Sequence, residues 1–114
     1  MEYKSFAELK EYIERADRPI DIARVKEAYD LAVVAHGGQR RVSGEPYVIH
    51  PIETAFILID LGMDTECICA GLLHDVVEDT PVTLDEIRKR FGHDVALLVD
   101  GVTKITRLPL FTKE

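Results

Sequence analysis

Helix-start and helix-stop signals follow one another along this chain too closely for anything but a succession of short helices. Ser5-Phe-Ala-Glu8 and Thr83-Leu-Asp-Glu86 are capping boxes, in which a hydroxyl and a carboxylate three residues apart satisfy free backbone amides. The first opens a helix to about Ala16, which Asp17-Arg-Pro19 breaks. A second runs from about Asp21 to His36, with Ile22, Val25, Ala28, Tyr29, Ala32 and Val33 at helical spacing, and Gly37-Gly38 stops it. Pro51 is placed to be the first residue of a third, which runs to about Leu61 and ends at Gly62. Asp64 or Thr65 caps a fourth, carrying ECICAGLLHDVVED, and Thr80-Pro81 ends it. The Thr83 box starts a short fifth helix to Arg90, and after Gly92 a sixth runs from near Asp94 to about Val102. No alternating strand pattern, internal repeat or low-complexity stretch competes. The expectation is an all-α bundle of about six helices.

At 114 residues, with 46% hydrophobic content, the chain is expected to form one domain, residues 1–114, around a single core. The net charge of -7 argues against a nucleic-acid-coating surface, which needs a basic stripe. No apolar run approaches the roughly 20 residues that span a membrane, so no membrane partner is expected. The charged, amphipathic opening MEYKSFAELKEYIE does not read as a signal peptide. Cys67 and Cys69 share one helix with side chains about 200° apart, which disfavours a mutual disulfide. Reduced, buried thiols suit a cytoplasmic protein.

Residues 72 to 80, LLHDVVEDT, set a problem of electrostatics. On a helical wheel with His74 at zero, Asp75 falls at roughly 100°, Glu78 near 40° and Asp79 near 140°. Cys69, Ala70, Leu73, Val76 and Val77 take the opposite side, and Gly71, near roughly 60°, leaves room beside the polar face. Asp75 and Asp79 are a like-charged i,i+4 pair, unfavourable by a few tenths of a kcal/mol. Glu78 and Asp79 also sit at the negative end of the helix dipole, at a cost of about 0.3–1 kcal/mol each. A divalent cation would reverse the sign of every one of these terms. The other reading is a solvated face that happens to be acidic.

Three further histidines bear on the choice. His50 precedes Pro51 at a helix start, where the positive end of the dipole favours a neutral, metal-ligating imidazole; a capping or packed histidine is the alternative. His36, on the polar side of its helix end, reads as structural. His93-Asp94 repeats the His-Asp dipeptide but has Leu97 and Leu98 one turn on, so it reads as an ordinary helix start. The irregular segment 37–47, GGQRRVSGEPY, sets Arg40, Arg41 and Ser43 among three glycines. Such a loop can bring amides and guanidinium groups to a phosphate.

HGGQRRVSGEPYVIHP, LLHDVVEDT and FGHDVALLVDGVTKI, in this order and spacing, resemble the hydrolase domain of the RelA/SpoT homologues, members of the HD superfamily. The resemblance covers residues 20 to 106 and implies an HD-domain-like helical bundle. It implies hydrolysis of the guanine-nucleotide alarmones (p)ppGpp at the 3′-diphosphate with Mn²⁺, giving GDP or GTP and pyrophosphate, as in the stringent response. By position, His50, His74 and Asp75 match three of the family's four metal ligands. Glu78 and Asp79 match the acidic pair that activates the attacking water, and Arg41 and Ser43, with Arg40 beside them, match nucleotide-contacting loop positions. The family's fourth ligand is an aspartate in a downstream LADRxHN-like motif without a counterpart in this sequence; Asp100 is not that residue. The chain is therefore expected to be the N-terminal part of a hydrolase domain from a longer synthetase–hydrolase, and by itself to bind metal weakly and turn over slowly or not at all. Leu108, Leu110 and Phe111 follow without a predicted partner. Two other readings stay open: another HD-superfamily nucleotide phosphohydrolase, and a non-catalytic HD module for regulation or interaction.

Overall fold

The computed structural model describes residues 6–37 and 49–106. Among them are seven helical elements and no strand: α1 (Phe6–Arg15), α2 (Ile22–His36), α3 (Ile49–Asp60), α4 (Thr65–Leu73), α5 (Val76–Asp79), α6 (Leu84–Phe91) and α7 (His93–Thr106). The expected six become seven because the fourth breaks at His74-Asp75. The third starts at Ile49 rather than Pro51. Proline is tolerated there because first-turn amides have no intrahelical acceptor. The last helix runs to Thr106, beyond the expected Val102.

Side-chain caps set several of the boundaries. Asp21 accepts from the Arg24 amide at 3.2 Å and Asp64 from the Cys67 amide at 3.0 Å. Thr83 accepts from the Glu86 amide at 3.2 Å, the predicted half of its capping box. Gly37, φ +52°, and Gly92, φ +97°, end α2 and α6 in backbone regions that side-chain-bearing residues rarely adopt. Ser5 lies outside the described residues. Replacing Thr83 by alanine is expected to lower unfolding free energy by about 1 kcal/mol, measured in urea, because α6 loses its only described side-chain cap.

α4 is the centre of the bundle. Every residue from Ile68 to Leu73 is buried, and the helix packs against α2, α3 and α7. A helix apolar nearly all round is stable only when enclosed, and the core it shares includes Val25 and Ala28 of α2, Ile52 and Ala55 of α3, and Val95 and Val99 of α7. Polar ties fix its start. The Asp21 amide donates to Thr65 Oγ1 at 3.0 Å, and Arg24 bridges Glu66 Oε2 at 2.5 Å and the Phe91 carbonyl at 2.8 Å, joining α2, α4 and the end of α6. Arg18 caps α3 through the carbonyls of Ile59, at 2.9 Å, and Met63, at 3.0 Å.

Both cysteines are free thiols on α4. Burial pushes the Cys69 thiol up to about 12, opposed by the nearby Arg24 charge; burial also raises Cys67, less strongly. At pH 8 a disulfide reagent is therefore expected to modify half-buried Cys67 in the native protein and Cys69 only as fast as the chain opens. Because the folded state raises the Cys69 value, its contribution to stability is full below the ordinary thiol range and is lost as pH climbs towards about 12.

A candidate metal centre at the end of the central helix

The apolar back of the LLHDVVEDT stretch sits as the wheel requires: Leu73 and Val76 are fully buried, and Val77 packs partly buried against the core. Leu72, which the wheel sets beside Asp79, is fully buried as well. This anchors the polar residues between them at the surface end of α4.

The helix does not run through them. α4 ends at Leu73, and the four-residue α5 begins at Val76, which corrects the uninterrupted helix read from the sequence. Asp75, at φ −89° and ψ −12°, lies near the bridge region between helix and turn. The His-Asp pair thus occupies a joint. Its side chains are only 13% and 15% exposed. His74 Nδ1 lies 2.6 Å from the Gly71 carbonyl oxygen, and His74 Nε2 lies 3.3 Å from Asp75 Oδ2.

That pair of distances is informative. A carbonyl only accepts, so Nδ1 carries the proton and a neutral ring presents its lone pair at Nε2. In that state Nε2 faces a carboxylate oxygen, and a cation between the two, a proton or a metal ion, joins them. Two ligand atoms, each about 2.1 Å from one ion and about 90° apart, lie about 3.0 Å from each other. Imidazole nitrogen with carboxylate oxygen is a donor set that transition-series divalent ions accept. The residues present fit a divalent metal.

Glu78 is half-buried and Asp79 exposed on α5, which packs against α2. The Asp79 amide bonds the Asp75 carbonyl at 2.9 Å, so the two acids share one turn. Among the described residues, no three His, Cys, Asp or Glu side chains gather into a ligand group. His50 lies in the first turn of α3, but its side chain, together with Arg40, Arg41 and Ser43, is outside the described residues. His36 is not on a polar face: it is 2% exposed at the end of α2. His93 is exposed at the start of α7, as expected of an ordinary helix start.

Sequence reading missed Gly71. It was assigned open space beside the polar face, whereas Leu58 and Thr54 of α3 fill that space. The available signal was its position three residues before a histidine at a helix end, the spacing at which a side chain can reach back to a free carbonyl.

Residues 28–114 match the family described as HD domain. The chain belongs to the HD domain family. It is 51% identical over 90 residues to the guanosine-3′,5′-bis(diphosphate) 3′-pyrophosphohydrolase of Aquifex aeolicus (strain VF5), covering 79% of this chain and 13% of that protein. It is 47% identical over 93 residues to the bifunctional (p)ppGpp synthase/hydrolase SpoT of Escherichia coli (strain K12), covering 82% and 13%. The GTP pyrophosphokinase rsh of Brucella ovis is 42% identical over 107 residues, covering 94% and 14%. This HD chain spans about one-eighth of the length of these curated relatives. Among solved structures, one described as a metazoan ortholog of SpoT that hydrolyzes ppGpp and plays a role in starvation responses superposes with a TM-score of 0.67. It is 37% identical, and the match covers 75% of this chain and 50% of that one. The all-α HD architecture expected from the sequence is thereby established, and an HD domain implies a divalent-metal-dependent hydrolase. Among the described residues, no helix is long and apolar enough to cross a membrane.

Proposed function

We propose that this HD domain supplies the metal-binding His-Asp pair of a (p)ppGpp 3′-pyrophosphohydrolase, a cytoplasmic enzyme of alarmone breakdown that uses Mn²⁺. The observation that carries the reading is the convergence of His74 Nε2 and Asp75 Oδ2 at 3.3 Å, with Nδ1 bound to Gly71. The names of the similar proteins supply the substrate.

His74 and Asp75 would hold the ion, and His50, from the first turn of α3, would be the third ligand. Bound there, a divalent ion supplies a water of lowered pKa and neutralises charge on the 3′-diphosphate. The chain's own residues do the rest. Asp75 contributes negative charge that keeps the ion in place, and the Gly71 carbonyl keeps His74 oriented. Glu78 and Asp79, on the turn that follows, orient the attacking water and accept its proton. Arg40, Arg41 and Ser43 grip the nucleotide phosphates by charge-assisted hydrogen bonds, so an acidic protein binds an anionic substrate through a local basic loop. The leaving group is pyrophosphate, and GDP or GTP remains. Residues beyond this stretch complete the ligand set, and the longer polypeptide also carries a synthetase domain.

The test is pyrophosphate release from ppGpp with Mn²⁺, using the longest form the gene encodes. Release that needs Mn²⁺ and is specific to the 3′-diphosphate is the expected result. Turnover of other nucleotides with ppGpp untouched would move the domain to a different HD phosphohydrolase. No turnover and no metal would make it a non-catalytic module.

A further inference from the structure

Resting on the metal-centre reading above, we infer that Gly71 is a positioning residue: its carbonyl fixes the tautomer of His74, and its missing side chain lets α3 close on α4 beside that ring. α4 ends at Leu73, so the Gly71 carbonyl is among the last four, which lack a regular intrahelical amide. His74 Nδ1, 2.6 Å away, donates to it. The ring thereby caps α4 and, when neutral, presents its lone pair at Nε2. A histidine free to carry its proton on either nitrogen spends part of its time with the wrong one facing Asp75.

The side-chain half of the argument is steric. A Cβ at position 71 would lie 2.5 Å from Leu58 Cδ1 and 3.4 Å from Thr54 Cγ2, both on α3. Apolar carbons rest at about 3.5–4.0 Å, so the Leu58 methyl would retreat by about 1 Å or more. Leu58, Gly71 and His74 line one cleft of about 190 Å³ between α3, α4 and α7. A displaced methyl therefore alters the cleft that the imidazole shares. His50 is one helical turn before Thr54 on the same helix, so the approach at Gly71 also sets the separation of the two backbone segments that carry His50 and His74.

The experiment has two arms. In the metal-free chain labelled with ¹⁵N-histidine, at about pH 8, where an ordinary imidazole is neutral, long-range ¹H–¹⁵N correlations report the tautomer. His74 as Nδ1–H is expected; Nε2–H overturns the inference. In the second arm, Mn²⁺-induced broadening of the His74 ring signals is titrated in wild type, Gly71→Ala and Gly71→Ala/Leu58→Ala, a readout that serves even at weak affinity. The Gly71→Ala midpoint is expected to rise about tenfold, and removal of the Leu58 methyls to return it to within about twofold. A Gly71→Ala protein that titrates like wild type overturns the inference. If wild-type His74 is not broadened at all, the metal reading fails and the tautomer arm still judges Gly71. If Gly71→Ala does not fold, the tautomer arm decides alone.

Discussion

Asp75→Asn is expected to lower Mn²⁺-dependent pyrophosphate release by at least about 100-fold while leaving the fold intact. The magnitude follows because residues that only orient a ligand already cost about 10–100-fold in metal affinity or activity when changed, and Asp75 is proposed as a ligand itself. The amide keeps the shape and removes the charge that offsets a divalent ion. The described helix contacts of Asp75 do not use that charge: it precedes α5 without making a side-chain capping bond, and its carbonyl, not its carboxylate, accepts the Asp79 amide. Thermal melting should therefore move little while turnover collapses. Parallel falls in melting temperature and activity would mean that the carboxylate is structural.

The largest effect on stability is expected at Leu72. Its side chain is fully buried in α4, the helix that packs against α2, α3 and α7. Leu72→Ala removes apolar burial and leaves a cavity that an enclosed helix cannot collapse into, at about 2–5 kcal/mol. Against a total of about 5–15 kcal/mol for an ordinary domain, this is enough to leave much of the chain unfolded at physiological temperature. Urea unfolding followed by circular dichroism checks it, with Ile57→Ala as the control. Ile57 is 59% exposed on α3, and its truncation is expected to change stability by about 0.5 kcal/mol or less. Equal effects at the two positions would contradict the placement of α4 at the centre.

The parts of this fold that were legible in the sequence are those set within a few residues. Asp21, Asp64 and Thr83 cap helices because each accepts from an amide three residues on, and that geometry needs no tertiary partner. The burial of Cys69, Ala70, Leu73 and Val76 was legible for a similar reason, because their spacing puts them on one apolar face; that Gly71 and Leu72 are buried too comes from the enclosure of α4 by other helices. What escaped depends on neighbours distant in sequence. The wheel treated residues 65–79 as one continuous helix, whereas the His74 ring takes the Gly71 carbonyl and the helix turns at the joint. Arg24 gave no sign that it would join Glu66 and the Phe91 carbonyl, residues 42 and 67 positions away. His36 appeared polar on a single-helix view and is buried by the packing of other elements. The candidate site was visible as a composition of ligand types in LLHDVVEDT; the 3.3 Å approach of His74 and Asp75 required the structure.

The decisive observation would be an anomalous difference map from crystals of this protein soaked in Mn²⁺. The account predicts a peak between His74 and Asp75, within about 2.3 Å of Nε2 and of a carboxylate oxygen, with Nδ1 still on the Gly71 carbonyl. Density for manganese elsewhere, or two rings of water around an ion that neither side chain touches, would contradict it.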